Sequence, residues 1–196
     1  MSIVQSLTKL SLWQQYAFSA SLLERMLPNY QLFSASYEFG DEKVLRNQLN
    51  LIWQKLDKSQ KVKLNYEAQL AKLEPLVPDP EMFDSFGVYP ALDCTMAMMS
   101  LLQAMQDSDE QGAPSVSRLS LNSVNFYVEL MISQEADSEV SQAMIDSHPL
   151  TQWENETQQE LCDVLAASKE NKATLDKVRQ LVTEEGLSNL GIEVVD

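Results

Sequence analysis

Few residues in this chain have the type and spacing that catalysis needs. Asp107, Asp109, Gln111 and Gly112 imitate the first half of a calcium-binding loop, where oxygen ligands alternate ahead of a glycine turn. The twelfth position, which in such loops is a bidentate Glu, is Arg118, and Pro114 stands at the eighth, so the stretch reads as an exposed acidic loop. A di-iron bundle needs two Glu-x-x-His pairs on facing helices. The chain has one His, His148, with Ile145 three residues before it. His148 would also have to serve as base for any nucleophilic Ser or Cys, and its place before Pro149 fits a helix junction better. Cys94 and Cys162 fall in apolar helical patterns, where a small buried thiol is the expected role. No G-x-S-x-G, G-x-G-x-x-G, Walker or Cys-x-x-Cys element occurs. The residues therefore assign no catalytic group, metal or cofactor.

Charged residues set among apolar ones are the stronger signal. Glu24 and Arg25 end an apolar helical stretch, Asp93 enters another, Arg118 is alone in an acidic region, and Glu129 lies between Val128 and Leu130. Buried charges must be paired, so Arg25 and Arg118 are each expected to meet a carboxylate, with Asp93 and Glu129 as candidates. Internal ion pairs fixing helix register are the first reading. The second is a ligand pocket near Glu24, Arg25, Tyr89 and Asp93, with Arg118 completing the candidate ligand-binding set. Met96, Met98, Met99 and Met105 recur at helical spacing and read as core filler.

These residues must be positioned by helices. Five Gly and seven Pro in 196 residues, against abundant Leu, Gln, Glu, Ala and Met, favour helix and leave little material for hairpin turns. The pattern predicts an all-α, single-domain array of seven to eight helices over 1–196 with a short extended tail. Apolar spacing places helices over 6–26 and 28–37, separated at Pro28 and stopped by Gly40. Asp41 caps a helix with the stripe Val44, Leu45, Leu49, Ile52, Trp53 and Leu56. Further helices are expected over 65–73, from Pro90 to about Met105, over 115–136 and 138–145, and from Thr151 to Glu185 with a kink near Lys169. The helix after Pro90 is so apolar that it is the candidate central element. Pro75, Pro78 and Pro80 forbid regular structure before it, and Phe83, Phe86 and Tyr89 are expected to plug the seam between two halves of the molecule. The tail around Leu190, Ile192, Val194 and Val195 is apolar enough to dock on the body.

Those halves differ in charge. Residues 1–75 hold nine Lys or Arg against seven Asp or Glu, while 76–196 hold five against 22, which makes up the net charge of −15. The acidic half repels phosphate backbones, so nucleic acid is not an expected partner. Neither a signal peptide nor a membrane span is expected, and two unpaired thiols fit a reducing cytoplasm.

Several words of the chain resemble the YjaG-like family of uncharacterised bacterial proteins. They are Glu24-Arg25-Met26-x-Pro28-Asn29-Tyr30, Phe39-Gly40-Asp41, Leu51-Ile52-Trp53, Gly87-Val88-Tyr89-Pro90-Ala91-x-Asp93 and Asn189-x-Gly191-Ile192. The resemblance spans nearly the whole chain and implies an all-helical array in a bacterial cytoplasm, with no assigned activity, cofactor or catalytic residue. Asn50 departs from the Asp expected before Leu51. The functional expectation is a non-enzymatic helical protein acting through protein–protein contact, as a homodimer. The alternative is a small-molecule-binding protein or enzyme using the pocket named above.

Overall fold

Ser11 opens the first long helix by a reciprocal cap. Its hydroxyl accepts the Gln14 N–H while its own N–H donates to the Gln14 side chain, satisfying two donors at the start of α2 (Leu12–Tyr37). The residues before it form a separate short α1 (Ile3–Leu7). In this computed structural model, which describes residues 2–135 and 139–193, α2 runs straight through Pro28. The expected boundary there is wrong. Proline leaves the Glu24 carbonyl without its helical donor, but every residue from 17 to 30 is buried, so packing holds the helix across the gap. The next carbonyl, that of Arg25, accepts an N–H from Asn189 of the tail at 3.1 Å.

Asp41 caps α3 (Glu42–Leu56) by accepting the Lys43 N–H, and the stripe of Leu45, Leu49, Ile52, Trp53 and Leu56 is buried as expected. Gly40 precedes this cap at φ +72°, and a Cβ there would sit 2.0 Å from the Tyr30 hydroxyl, so the turn requires glycine on two counts. Asn65 caps α4 (Tyr66–Leu73). The prolines that follow allow only single 3-10 turns at Glu74–Leu76 and Pro80–Met82. Two helices then pack closely, α5 (Val88–Asp107) and α6 (Gly112–Glu135), with Gly112 set against Ala104.

The remaining helices are α7 (Gln142–Ser147), α8 (Pro149–Ala166) and α9 (Lys172–Thr183), nine among the described residues, with no strand. The long helix expected from Thr151 to Glu185 is two helices. Asn171 accepts the Thr174 N–H at 3.0 Å and begins α9 afresh, while the Thr174 hydroxyl donates to the Lys169 carbonyl, so the polar patch near Lys169 is a cap rather than a kink. The expected helix ends at Ala136 and Ser138, and the tail residues Val194 and Val195, lie outside the described residues.

The centre of the fold is α2, which packs on α3, α5, α6, α8 and α9. Its neighbour α5, expected as the central element, packs mainly on α2, α6 and α4. A smaller cluster of Val124, Val128, Ile145 and Leu190 forms where the tail docks, with Phe86, Tyr127 and Ile192 against it. Among the described residues, the tail closes on itself through a bridge between Leu187 and Glu193.

Candidate functional site

The sequence-chosen residues separate in space. Glu24 and Arg25 are consecutive on α2 and face different neighbours. The Glu24 carboxylate accepts from the Trp53 indole at 2.8 Å, from Arg46 at 2.7 Å and from Arg179 Nε at 2.9 Å. It ties α2 to α3 and α9 and is only 6% exposed. Asn50 lies beside it and accepts from Arg179 Nη2 at 3.5 Å, the position where the family resemblance leads one to expect Asp.

Arg25 turns toward α8 instead. Its side chain is buried, Nη1 donates to Glu154 Oε2, and the guanidinium stacks 4.2 Å from the centre of the Trp153 ring. Glu154 is wholly buried and also accepts from Ser120 at 2.6 Å and Gln158 at 2.7 Å, so its charge is compensated by donors on three helices. The chain of bonds continues from the Ser120 hydroxyl to Asn189 at 3.1 Å, and from Asn189 Oδ1 to Asn29 Nδ2 at 2.7 Å. A continuous buried polar line therefore crosses the core from α2 through α8, α6 and the tail back to α2. Both ends are open among the described residues: Arg25 Nη2 and Asn29 Oδ1 have no hydrogen-bond partner there.

The expected pairing of Arg25 with a carboxylate is realised, but through Glu154, which is not among the expected candidates. Asp93 instead accepts a hydrogen bond from Ser123 at 2.8 Å. Burial pushes its carboxyl up to about 6, against the smaller opposing effect of the Ser123 bond. Arg118 and Glu129 are both exposed, and Arg118 makes no ion pair among the described residues, so the expectation of a buried partner for it is not met. Met98 and Met105 are buried as core filler, whereas Met96 is exposed.

Tyr89 belongs to a different feature. Five of the six Phe and three of the six Tyr gather on one side of the molecule. Phe33, Tyr37, Phe39 and Phe83 pack edge-to-face or tilted at 5.0–5.9 Å. Phe86, Phe126, Tyr127 and Tyr89 form a second group at 4.9–5.5 Å. Between them lies a groove of about 300 Å³, walled by Phe33 and Tyr37 on one side and Phe86 and Tyr127 on the other, with Asn29 among its lining residues. Among the described residues, no charged side chain lines it. Leu32, Tyr37, Tyr89 and Phe126 stand 40–53% exposed on or beside it. Phe83 packs against Phe33, Tyr37 and Phe39, while Phe86 and Tyr89 pack with Phe126 in the second group.

Groups suited to chemistry are occupied elsewhere. Burial raises the Cys94 thiol far above its ordinary value and the Cys162 thiol to about 12. His148 Nδ1 accepts the Leu150 N–H at the head of α8, the junction role expected of it. No cluster of three or more His, Cys, Asp or Glu fit to hold a metal ion occurs among the described residues, and none of their helices is long and apolar enough to cross a membrane.

Comparison with known proteins gives a consistent result. The chain is 34% identical over 188 residues to the uncharacterized protein YjaG of Escherichia coli K12, covering 95% of this chain and 93% of that one. It is 34% identical over 194 residues to an uncharacterized protein of Haemophilus influenzae Rd, covering 97% and 96%. The crystal structure of a DUF416 family protein from Shewanella baltica OS155 matches with a TM-score of 0.89 at 36% identity, over 99% of this chain and 100% of that one. The family described as protein of unknown function (DUF416) matches residues 2–193, and the chain belongs to it.

Proposed function

We propose that the chain is a non-enzymatic bacterial protein of the cytoplasm that acts by protein–protein contact, and that its aromatic face is where a second copy binds. The observation that carries this reading is the uncharged groove flanked by exposed Leu32, Tyr37, Tyr89 and Phe126. A two-fold contact requires one patch to be its own complement. This face has both parts, a groove of about 300 Å³ and exposed apolar side chains at its rim to fill the groove of the partner. Two molecules of charge −15 repel, and a groove with no charged lining among the described residues is where they approach at least electrostatic cost. Aromatic residues enrich interface centres for the same reason, giving large apolar area at low entropy cost. Buried thiols with raised pKa and a His engaged in a cap support the non-enzymatic part.

The test is substitution on the face. Leu32→Glu and Phe126→Glu, which place a buried like-charge pair in the contact, are expected to weaken self-association at least tenfold while leaving helix content unchanged. Self-association of undiminished affinity in both variants, measured by light scattering on a sizing column, overturns the reading.

A further inference from the structure

A second cavity lies on another side of the molecule, bounded by α8, α9 and the turn that follows α9. Its volume is about 630 Å³, and Arg25, Trp153, Thr157, Lys177 and Leu181 are among its lining residues. Arg25 is 2% exposed, and its Nη2 has no hydrogen-bond partner among the described residues, although Nη1 is held by Glu154. An unsatisfied guanidinium donor beside a cavity costs free energy until an acceptor fills the position. Nη2 itself is shielded from solvent, and the half-buried Trp153 ring stacks on the same guanidinium at 4.2 Å, so an acceptor in the cavity reaches the donor as a lining side chain gives way, a change that the Trp153 indole reports.

The charge of the acceptor follows from the surroundings. The charge of Arg25 is already matched by Glu154, so a ligand carboxylate at Nη2 would add an uncompensated buried negative charge. A neutral carbonyl oxygen adds none. At the mouth of the cavity stand Glu160, Glu184 and Glu185, all exposed and free of ion pairs among the described residues, against one cation, Lys177. That rim favours a positive group on the ligand.

We propose that this cavity binds a small primary amine carrying a neutral carbonyl, of the amino-acid amide or peptide N-terminus class, with the carbonyl oxygen on Arg25 and the ammonium at the glutamate rim. The site is independent of the aromatic face and of any dimer. Titration of the isotope-labelled chain with leucinamide and phenylalaninamide, followed at the Trp153 indole by NMR, tests it. Saturable shifts are expected for the amides, weaker binding by several-fold for free leucine and phenylalanine, and none for the N-acetylated amides, which lack the ammonium. Glu160→Gln, Glu184→Gln and Glu185→Gln combined change only exposed groups and are expected to weaken amide binding at least tenfold, with a smaller dependence on salt. No saturation by either amide up to roughly 10 mM, a dissociation constant at which binding is too weak for specific recognition, overturns the proposal. Equal binding of the acetylated amide, or unchanged binding by the triple variant, does the same. A dipeptide arm separates the two sources: tighter binding of Leu-Phe than of leucinamide identifies a peptide N-terminus.

Discussion

Glu154 is the residue on which the buried polar line depends. It sits in phase with Leu161 and Leu165 on the inner face of α8, seven and eleven residues before them, and that register was the available signal for a buried carboxylate. Arg25 was legible as a charge needing a partner; which carboxylate answered was not, because the pairing joins residues 129 positions apart. Removing one member leaves the other charged and dry, so Glu154→Ala is expected to cost about 3–5 kcal/mol in chemical denaturation. The double variant Arg25→Met, Glu154→Leu is expected to be more stable than either single variant, and a double variant less stable than both would show that the pair is not the source of the loss. Asp93 makes a pH-dependent prediction. Its carboxyl is raised to about 6 in the folded chain, above the ordinary value of 3.8, so the folded state holds the proton more tightly. The contribution is fully present below about pH 4 and is lost as pH rises through about 6. Asp93→Asn keeps an acceptor for Ser123 and is expected to be more stable than the parent chain at pH 7 by about 1 kcal/mol, a figure discounted for partial exposure, with the difference vanishing near pH 4. Denaturant midpoints at the two pH values measure it.

At the scale of elements, the apolar stripes were readable and their ends were less so. Asp41 before α3 announces itself, because a short polar side chain ahead of an apolar period has one favourable use, whereas Asn65, expected as the first residue of a helix, is the cap of α4. Pro28 misled because local geometry argues for a break, while the burial of residues 17–30 and the Asn189 N–H on the Arg25 carbonyl are tertiary facts. The same reasoning moves the centre of the fold from α5 to α2. The apolar composition of α5 reflects its contacts with α2, α4 and α6 and its share of the aromatic face, not a central position. The close approach of α5 and α6 is set by Gly112, where a Cβ would lie 2.2 Å from the Ala104 Cβ. Gly112→Ala is therefore expected to destabilise by about 1–3 kcal/mol through overpacking. Ala104→Gly in the same chain removes the opposing methyl, and the pair is expected to lose less than the sum of the single variants in thermal melts. Full additivity would contradict the close contact.

At the scale of the molecule, the charge read from the sequence is uneven, and the groove in the aromatic face has no charged side chain in its lining among the described residues. Composition reported the aromatic residues, but only the fold places Phe33 and Tyr37 of α2, Phe83 and Phe86 of the connector and Phe126 and Tyr127 of α6 side by side. Because α2 joins five other helices, we propose that the chain unfolds as one unit, and calorimetry is expected to give a single transition with equal calorimetric and van't Hoff enthalpies. Two separable transitions would divide it into domains. We propose that the aromatic face joins two copies. Sedimentation equilibrium of the unmodified chain, over roughly 1 to 200 µM so that dissociation constants in the micromolar range are visible, tests it most directly. A mass rising from one chain to two is the expected result, and the mass of one chain throughout would contradict it.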